Sequence, residues 1–192
     1  YLLYNIYSAI ALNIHRSFFL IYPFYIIYKI FRKKITENIL IVGLLIATLI
    51  NFIDVKKYVE MLIVYIPRYS HYIEKDYFSS VSFIGKILKI IYVPFIYESI
   101  QLLKKMTFSN QKEILKLGII SYIIKTVCLV TSITNRVGEY FTLLAIFPIY
   151  YLILFYIKNN NKIKLVILLG LIFSIFVFKV VVFAKGEYLY KS

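Results

Sequence analysis

The chain has 192 residues, 61% of them hydrophobic, with a mean hydropathy of +0.80 and a formal net charge of +14. An apolar share so far above the roughly 45–50% of soluble domains excludes an ordinary water-soluble fold and points to a polytopic membrane protein. The positive charge does not call for nucleic acid, because Lys and Arg are gathered mostly in short breaks between apolar runs, where they set topology.

A membrane span needs about 20 predominantly apolar residues. Residues 1–11 are apolar and read as the end of a preceding helix or as a continuation into the first span; with Tyr1 in place of Met, the chain reads as part of a longer protein. Runs at 12–31, 37–55, 81–103, 114–134, 139–157 and 165–184 then predict a single transmembrane domain over 1–192, an all-α polytopic bundle of about six helices. Between the second and third runs, segment 56–80 has an apolar middle, Met61 to Ile66, too short to span. Pro67 and a polar stretch from Arg68 to Tyr77 follow it, and an outer lid or interfacial helix is predicted. Pro23, Pro94 and Pro148 fall within runs and predict kinks. The lone Cys128 lies in an apolar run, so no intrachain disulfide is expected, and nothing resembles a Cys/His metal cluster.

The breaks alternate in character. Arg32-Lys33-Lys34, then Lys104-Lys105 with Lys112, then Lys158 with Lys162 and Lys164 occupy every second loop, and the positive-inside rule puts those loops in the cytoplasm. The opposite, outer side receives Arg16, segment 56–80, the heptad Asn135-Arg136-Val137-Gly138-Glu139-Tyr140-Phe141 and the tail from Lys185.

On that side the candidate groups are Arg16, Arg68 with His71, Arg136 with Glu139, and Lys86, Lys89 and Lys179 in the outer halves of their helices, together a cationic vestibule. Charge in hydrocarbon costs at least about 2.5–3.5 kcal/mol per residue, so such side chains face a wet cavity, snorkel outward or pair with an anion. Lys125, in the middle of its run, is too deep for easy snorkelling and needs Glu98, a cluster of carbonyls or a ligand. Arg136 reads either as an anchor in a tight turn made by Gly138 or as a planar fork for phosphate. Glu139 reads as a partner for Arg136, a helix-dipole carboxylate or a base; His71 as a solvated loop residue or an acid–base group. Most of the 20 tyrosines fit an interfacial belt, with Tyr69, Tyr72, Tyr77, Tyr140, Tyr188 and Tyr190 placed to stack on sugars. Nucleophilic triads, phosphate-cradling glycine loops and paired carboxylates are absent.

The heptad 135–141 followed by an apolar run containing Pro148 resembles the Arg-x-x-x-Tyr-Phe stretch of the EpsG family, Wzy-like polysaccharide polymerases. Ile14-His15-Arg16-Ser17-Phe18-Phe19, followed by an apolar run and Arg32-Lys33-Lys34, resembles that family's earlier Arg-led helix, with Ser17 where glutamine is usual and Asn51 where a histidine often ends the next helix. Gly186-Glu187-Tyr188-Leu189-Tyr190 resembles its tyrosine-bearing end.

The resemblance implies a GT-C-like membrane enzyme of the bacterial cytoplasmic membrane. Such an enzyme moves a growing glycan from undecaprenyl diphosphate to the incoming lipid-linked repeat unit at the outer face, without metal or cofactor. Arg136 and Arg16 would hold the diphosphate, Glu139 or His71 would take the acceptor proton, and Arg68, Lys86, Lys89, Lys125, Lys179 and the outer tyrosines would bind substrate. Undecaprenyl-diphosphate-linked oligosaccharide, membrane lipids, and a flippase and chain-length regulator of the same pathway are the implied partners. The rival readings are a flippase or transporter of lipid-linked glycans with Lys125 and Lys179 lining its path, and a non-catalytic membrane subunit.

Overall fold

The computed structural model describes residues 21–53, 58, 82–107 and 109–183, and among these all regular structure is helical. In chain order the helices are α1 (Ile21–Phe31), α2 (Glu37–Leu49), α3 (Phe83–Ile90), α4 (Val93–Lys105), α5 (Ser109–Val127), α6 (Ser132–Glu139), α7 (Thr142–Ala145), α8 (Phe147–Lys158) and α9 (Lys162–Phe178). Segment 56–80, the predicted lid, lies outside the described residues except for Tyr58.

The core is where α2, α4, α5 and α8 meet, with α9 against α8. Leu40 and Leu44 of α2, Ile96, Ile100 and Leu103 of α4, Leu115 and Ile119 of α5, Leu152 of α8 and Leu168 of α9 are all buried in it. Helices α2 and α9 turn one such stripe inward and leave the other face apolar as well. Ile39, Val42, Ile46 and Leu49 of α2 and Ile163, Val166, Phe173 and Phe176 of α9 are exposed. A helix hydrophobic on every face is covered by other protein or by lipid.

Several runs read as single spans are broken, and the reasons are local. Pro94 and Pro148 sit in the first turns of α4 and α8, where a missing N–H leaves no helical bond unmade; they begin helices in place of the expected kinks. The run 81–103 therefore divides at Ile91–Tyr92, and 139–157 into α7 and α8. The run 114–134 begins earlier, at Ser109, and ends in a 3-10 turn, Cys128–Val130. Thr131 then starts α6 with a reciprocal cap: its hydroxyl accepts from the Thr134 N–H, and the Thr134 hydroxyl accepts from the Thr131 N–H. Among the described residues one helix, Lys162–Val181, is long and apolar enough to cross a membrane by length and composition; Glu37–Phe52 and Thr142–Lys158 are shorter apolar helices.

Polar contacts mark one end of the bundle. Tyr28 donates to Glu113 at 2.9 Å, Arg32 lies 3.8 Å from the same carboxylate, and Lys116 donates to the Arg32 carbonyl at 2.6 Å, tying α1 to the start of α5. Glu98 of α4 accepts from Tyr156 of α8 and pairs with Lys164 of α9 at 2.7 Å, while Lys105 stands 5.5 Å from the centre of the Phe155 ring. The basic breaks at Arg32–Lys34, Lys104–Lys112 and Lys158–Lys164 thus share this end, as the alternation of breaks predicts. Asn160, at φ 52°, makes the tight turn from α8 to α9 there.

Gly118 fixes how closely α5 approaches α7 and α8. A Cβ at that position would stand 2.7 Å from Pro148 Cδ and 2.9 Å from the Leu144 carbonyl oxygen, and the backbone cannot yield cheaply. Gly118→Ala is expected to destabilise the bundle by about 1–3 kcal/mol, as overpacking does. Gly170→Ala, which meets nothing within 4 Å, should be neutral or stabilising by up to about 1 kcal/mol. Thermal unfolding of the two variants in detergent checks the pair, and equal behaviour would contradict the packing.

Candidate functional site

At the end opposite the basic breaks the termini of α3, α5, α6, α7 and α9 converge. A cavity of about 360 Å³ lies there, lined by Lys89, Lys125 and Lys179, by Tyr92, Tyr122, Thr126 and Thr142, and by apolar side chains including Ile149, Ile172 and Ile175. Each lysine comes from a different helix. Lys89 ends α3, Lys125 is in the last turn of α5, and Lys179 follows α9 in a single π turn, Lys179–Phe183.

One carboxylate organises two of the three. Glu139, the last residue of α6, accepts from Lys89 at 2.8 Å and lies 3.4 Å from Lys125. The Lys125 ammonium also donates to the Thr142 hydroxyl at 2.6 Å, and Thr142 donates to Glu139 at 2.9 Å. Asn135, one turn before Glu139, accepts from Lys89 at 2.9 Å, so two residues on one face of α6 grip the same ammonium. Tyr122 donates to the Lys89 carbonyl at 2.6 Å and pins the end of α3 to α5.

Partial burial pushes the Glu139 carboxyl upward, but the Lys89 hydrogen bond, the Lys125 and Lys89 charges and the Thr142 hydroxyl outweigh it and hold it down to about 2. Gly138 lets α6 sit this close: a Cβ there would stand 2.8 Å from Cys128 Cβ. In place of the expected tight turn, Gly138 lies in a helix, and its lack of a side chain serves packing.

Of the other predicted residues, Lys86 faces a separate groove of about 470 Å³ with Phe52, Phe83, Ile87, Ile90 and Ile91, and donates to the Asn51 carbonyl at 2.9 Å. Asn51 is itself buried, donating to the carbonyls of Ala47 and Thr126, both at 2.8 Å, and so locks the end of α2 to α5. Of the vestibule lysines expected from the sequence, Lys89 and Lys179 line this cavity together with Lys125, and Lys86 stands beside it. Arg136 is exposed on α6, is not among the cavity-lining residues, and has no ion pair among the described residues. The expected pairing of Glu139 with Arg136 is replaced by pairing with Lys89 and Lys125, because both lysines rise from the helices beneath α6. Lys125 has found Thr142 and Glu139; Glu98 is at the other end of the bundle, held by Tyr156 and Lys164. Tyr140 is exposed just after α6. Arg16, Arg68, His71, Tyr72, Tyr188 and Tyr190 lie outside the described residues.

Sequence reasoning passes over Asn135, Tyr122 and Thr142. The four-residue spacing of Asn135 and Glu139 on one helix face is a usable signal; Tyr122 and Thr142 carry none, since only packing brings them to the lysines.

An all-helical bundle with one mostly exposed helix long and apolar enough to cross a membrane fits a membrane-associated class of protein. Within that class the chain belongs to the EpsG family, whose model matches residues 1–192, the whole chain. No curated protein and no solved structure matches it. Membership places the chain in polysaccharide biosynthesis, as a polysaccharide polymerase in the general sense.

The Glu139 network predicts an acid-dependent loss of stability. A carboxyl held at about 2, below the unfolded value of about 4.3, stabilises the fold above that value and stops doing so as pH falls from about 4.3 towards 2. Glu139→Gln should therefore flatten the fall of the melting temperature across that window, measured in detergent; parallel wild-type and variant curves would refute the network.

Proposed function

We propose that this chain is the catalytic transmembrane domain of a polymerase that transfers a growing glycan from undecaprenyl diphosphate to a sugar hydroxyl of the incoming lipid-linked unit. In this reading the protein crosses the bacterial cytoplasmic membrane several times. The broken apolar runs, exposed apolar faces on α2 and α9, and shared end of the basic breaks support that topology. The lysine cavity then opens on the outer side.

The observation that carries the reading is the charge count at that cavity: three lysines, Lys89, Lys125 and Lys179, line it among apolar side chains, and one carboxylate, Glu139, pairs with two of them from outside the lining. Such an excess beside apolar walls calls for an anion. In the reaction the bond between the glycan's anomeric carbon and the diphosphate oxygen breaks, and a glycosidic bond to the acceptor oxygen forms. The diphosphate leaves with the added negative charge, which prearranged cations stabilise. Lys125 and Lys179 are assigned to that leaving group. Arg136, exposed on the helix above, and Arg16 are assigned as further phosphate ligands. Glu139, held low by its lysines, is better suited to position them than to take a proton, so His71 is assigned to the acceptor hydroxyl. Tyr140, with Tyr72, Tyr188 and Tyr190, is assigned to the sugars, and Arg68 to the carrier phosphates.

In cells carrying the full-length protein, Lys125→Gln and Lys179→Gln should each cut chain elongation by about 10²-fold, the scale for losing one prearranged charge donor, while single repeat units still reach the outer surface. Polymer length on gels and labelling of surface-accessible units read the two quantities. Normal long polymer would overturn the assignment, and units retained inside would replace polymerisation by transport.

A further inference from the structure

The described helices place a carboxylate beside the cavity, paired with two of the lysines that line it. Glu139 is shared between Lys89 and Lys125, with Asn135 also accepting from Lys89 and Thr142 from Lys125, so one of these two positive charges is already compensated within the protein. Lys179 is the third ammonium and has no carboxylate partner among the described residues. An incoming anion must therefore share these lysines with Glu139 or displace it, and the lysines and carboxylate together carry a net charge of about +2.

From this arrangement we infer that Glu139 is an internal counterion that sets the charge of the ligand the cavity accepts, selecting dianionic diphosphate diesters over monoanionic phosphodiesters. A dianion balances the lysines and Glu139; a monoanion leaves one positive charge uncompensated and competes poorly with a carboxylate already in place. The selection has a physical use. A cavity open to a bilayer is surrounded by monoanionic phosphodiester headgroups, and three uncompensated lysines would bind them. The carboxylate raises the threshold above that background. This role rests on the proposal that the cavity receives a lipid-linked diphosphate, and it assigns Glu139 to specificity rather than to proton transfer.

The test is equilibrium binding to the full-length protein in uncharged detergent, using two probes with the same tail: the methyl diester of farnesyl diphosphate, with two charges, and methyl farnesyl phosphate, with one. Wild type should prefer the dianion by about ten-fold or more, and Glu139→Gln should tighten the monoanion by about five-fold or more and shrink the preference to about three-fold or less. The sign is the diagnostic feature, because a carboxylate that merely scaffolds the lysines would weaken both probes when removed. Asn135→Asp, isosteric and in contact with Lys89, lowers the local charge to about +1 and should weaken the dianion by about ten-fold. This second variant decides the matter if Glu139→Gln does not fold. Wild-type binding of the dianion with no tightening of the monoanion in Glu139→Gln, or no loss in Asn135→Asp, overturns the inference alone. Failure of wild type to bind either probe overturns it together with the proposed use of the cavity.

Discussion

The arrangement of the cavity end depends on how this chain accommodates charge in an apolar bundle. Glu139 meets that constraint by joining Lys89 of α3 and Lys125 of α5 to its own helix, with Thr142 of α7 closing the ring. Without the carboxylate, the Lys89 and Lys125 ammonium groups would repel each other with no counter-charge between them. The network therefore has both a structural and an electrostatic consequence: it draws four helix termini together and leaves a fixed surplus of positive charge.

The same constraint explains why the helices are short and broken. Pro94 and Pro148 start new helices inside apolar runs, Thr131 caps α6, and the ends so created are where Lys89, Lys125, Glu139 and Thr142 sit. An unbroken pair of spans in place of α5 to α8 would carry these groups past one another on parallel cylinders. Interrupted helices are tolerated at depth only where their freed backbone groups are satisfied or line a polar cavity, and here the breaks border one. Gly118 and Gly138 permit the close approaches that the breaks need, against Pro148 and Cys128 respectively. At the other end, Glu98 with Tyr156 and Lys164, and Glu113 with Tyr28 and Arg32, perform the corresponding clamping beneath the basic loops.

Much of this is legible in the residues alone, and the reasons are specific. Hydropathy announces the helices because apolar runs of this length have few alternatives, and the basic breaks announce a common end because charge does not cross the bilayer readily. The heptad 135–141 stands out for the same reason. What it becomes does not: Arg136 is the more conspicuous residue, yet Glu139 is the one whose contacts organise the cavity. A side chain's partner depends on helix rotation and on which residues of distant segments rise beside it, and neither is written locally. Lys125 illustrates the limit, since its depth shows that it needs a partner but not that Thr142, 17 residues on, supplies it.

By itself, then, the amino-acid sequence determined an all-helical, strongly apolar chain, the common end of its basic breaks, the need of a lysine within an apolar run for a polar partner, and the resemblance to the EpsG family that the whole-chain match bears out. These follow from composition and from order along the chain. The tertiary structure alone decided that Lys89, Lys125 and Lys179 line one cavity while Lys86 stands outside it, and that a single carboxylate serves two of them. Ion pairs form between groups a few ångströms apart, and the packing of α6 across α5, set by Gly138 and the Thr131 cap, is what brings those groups within reach.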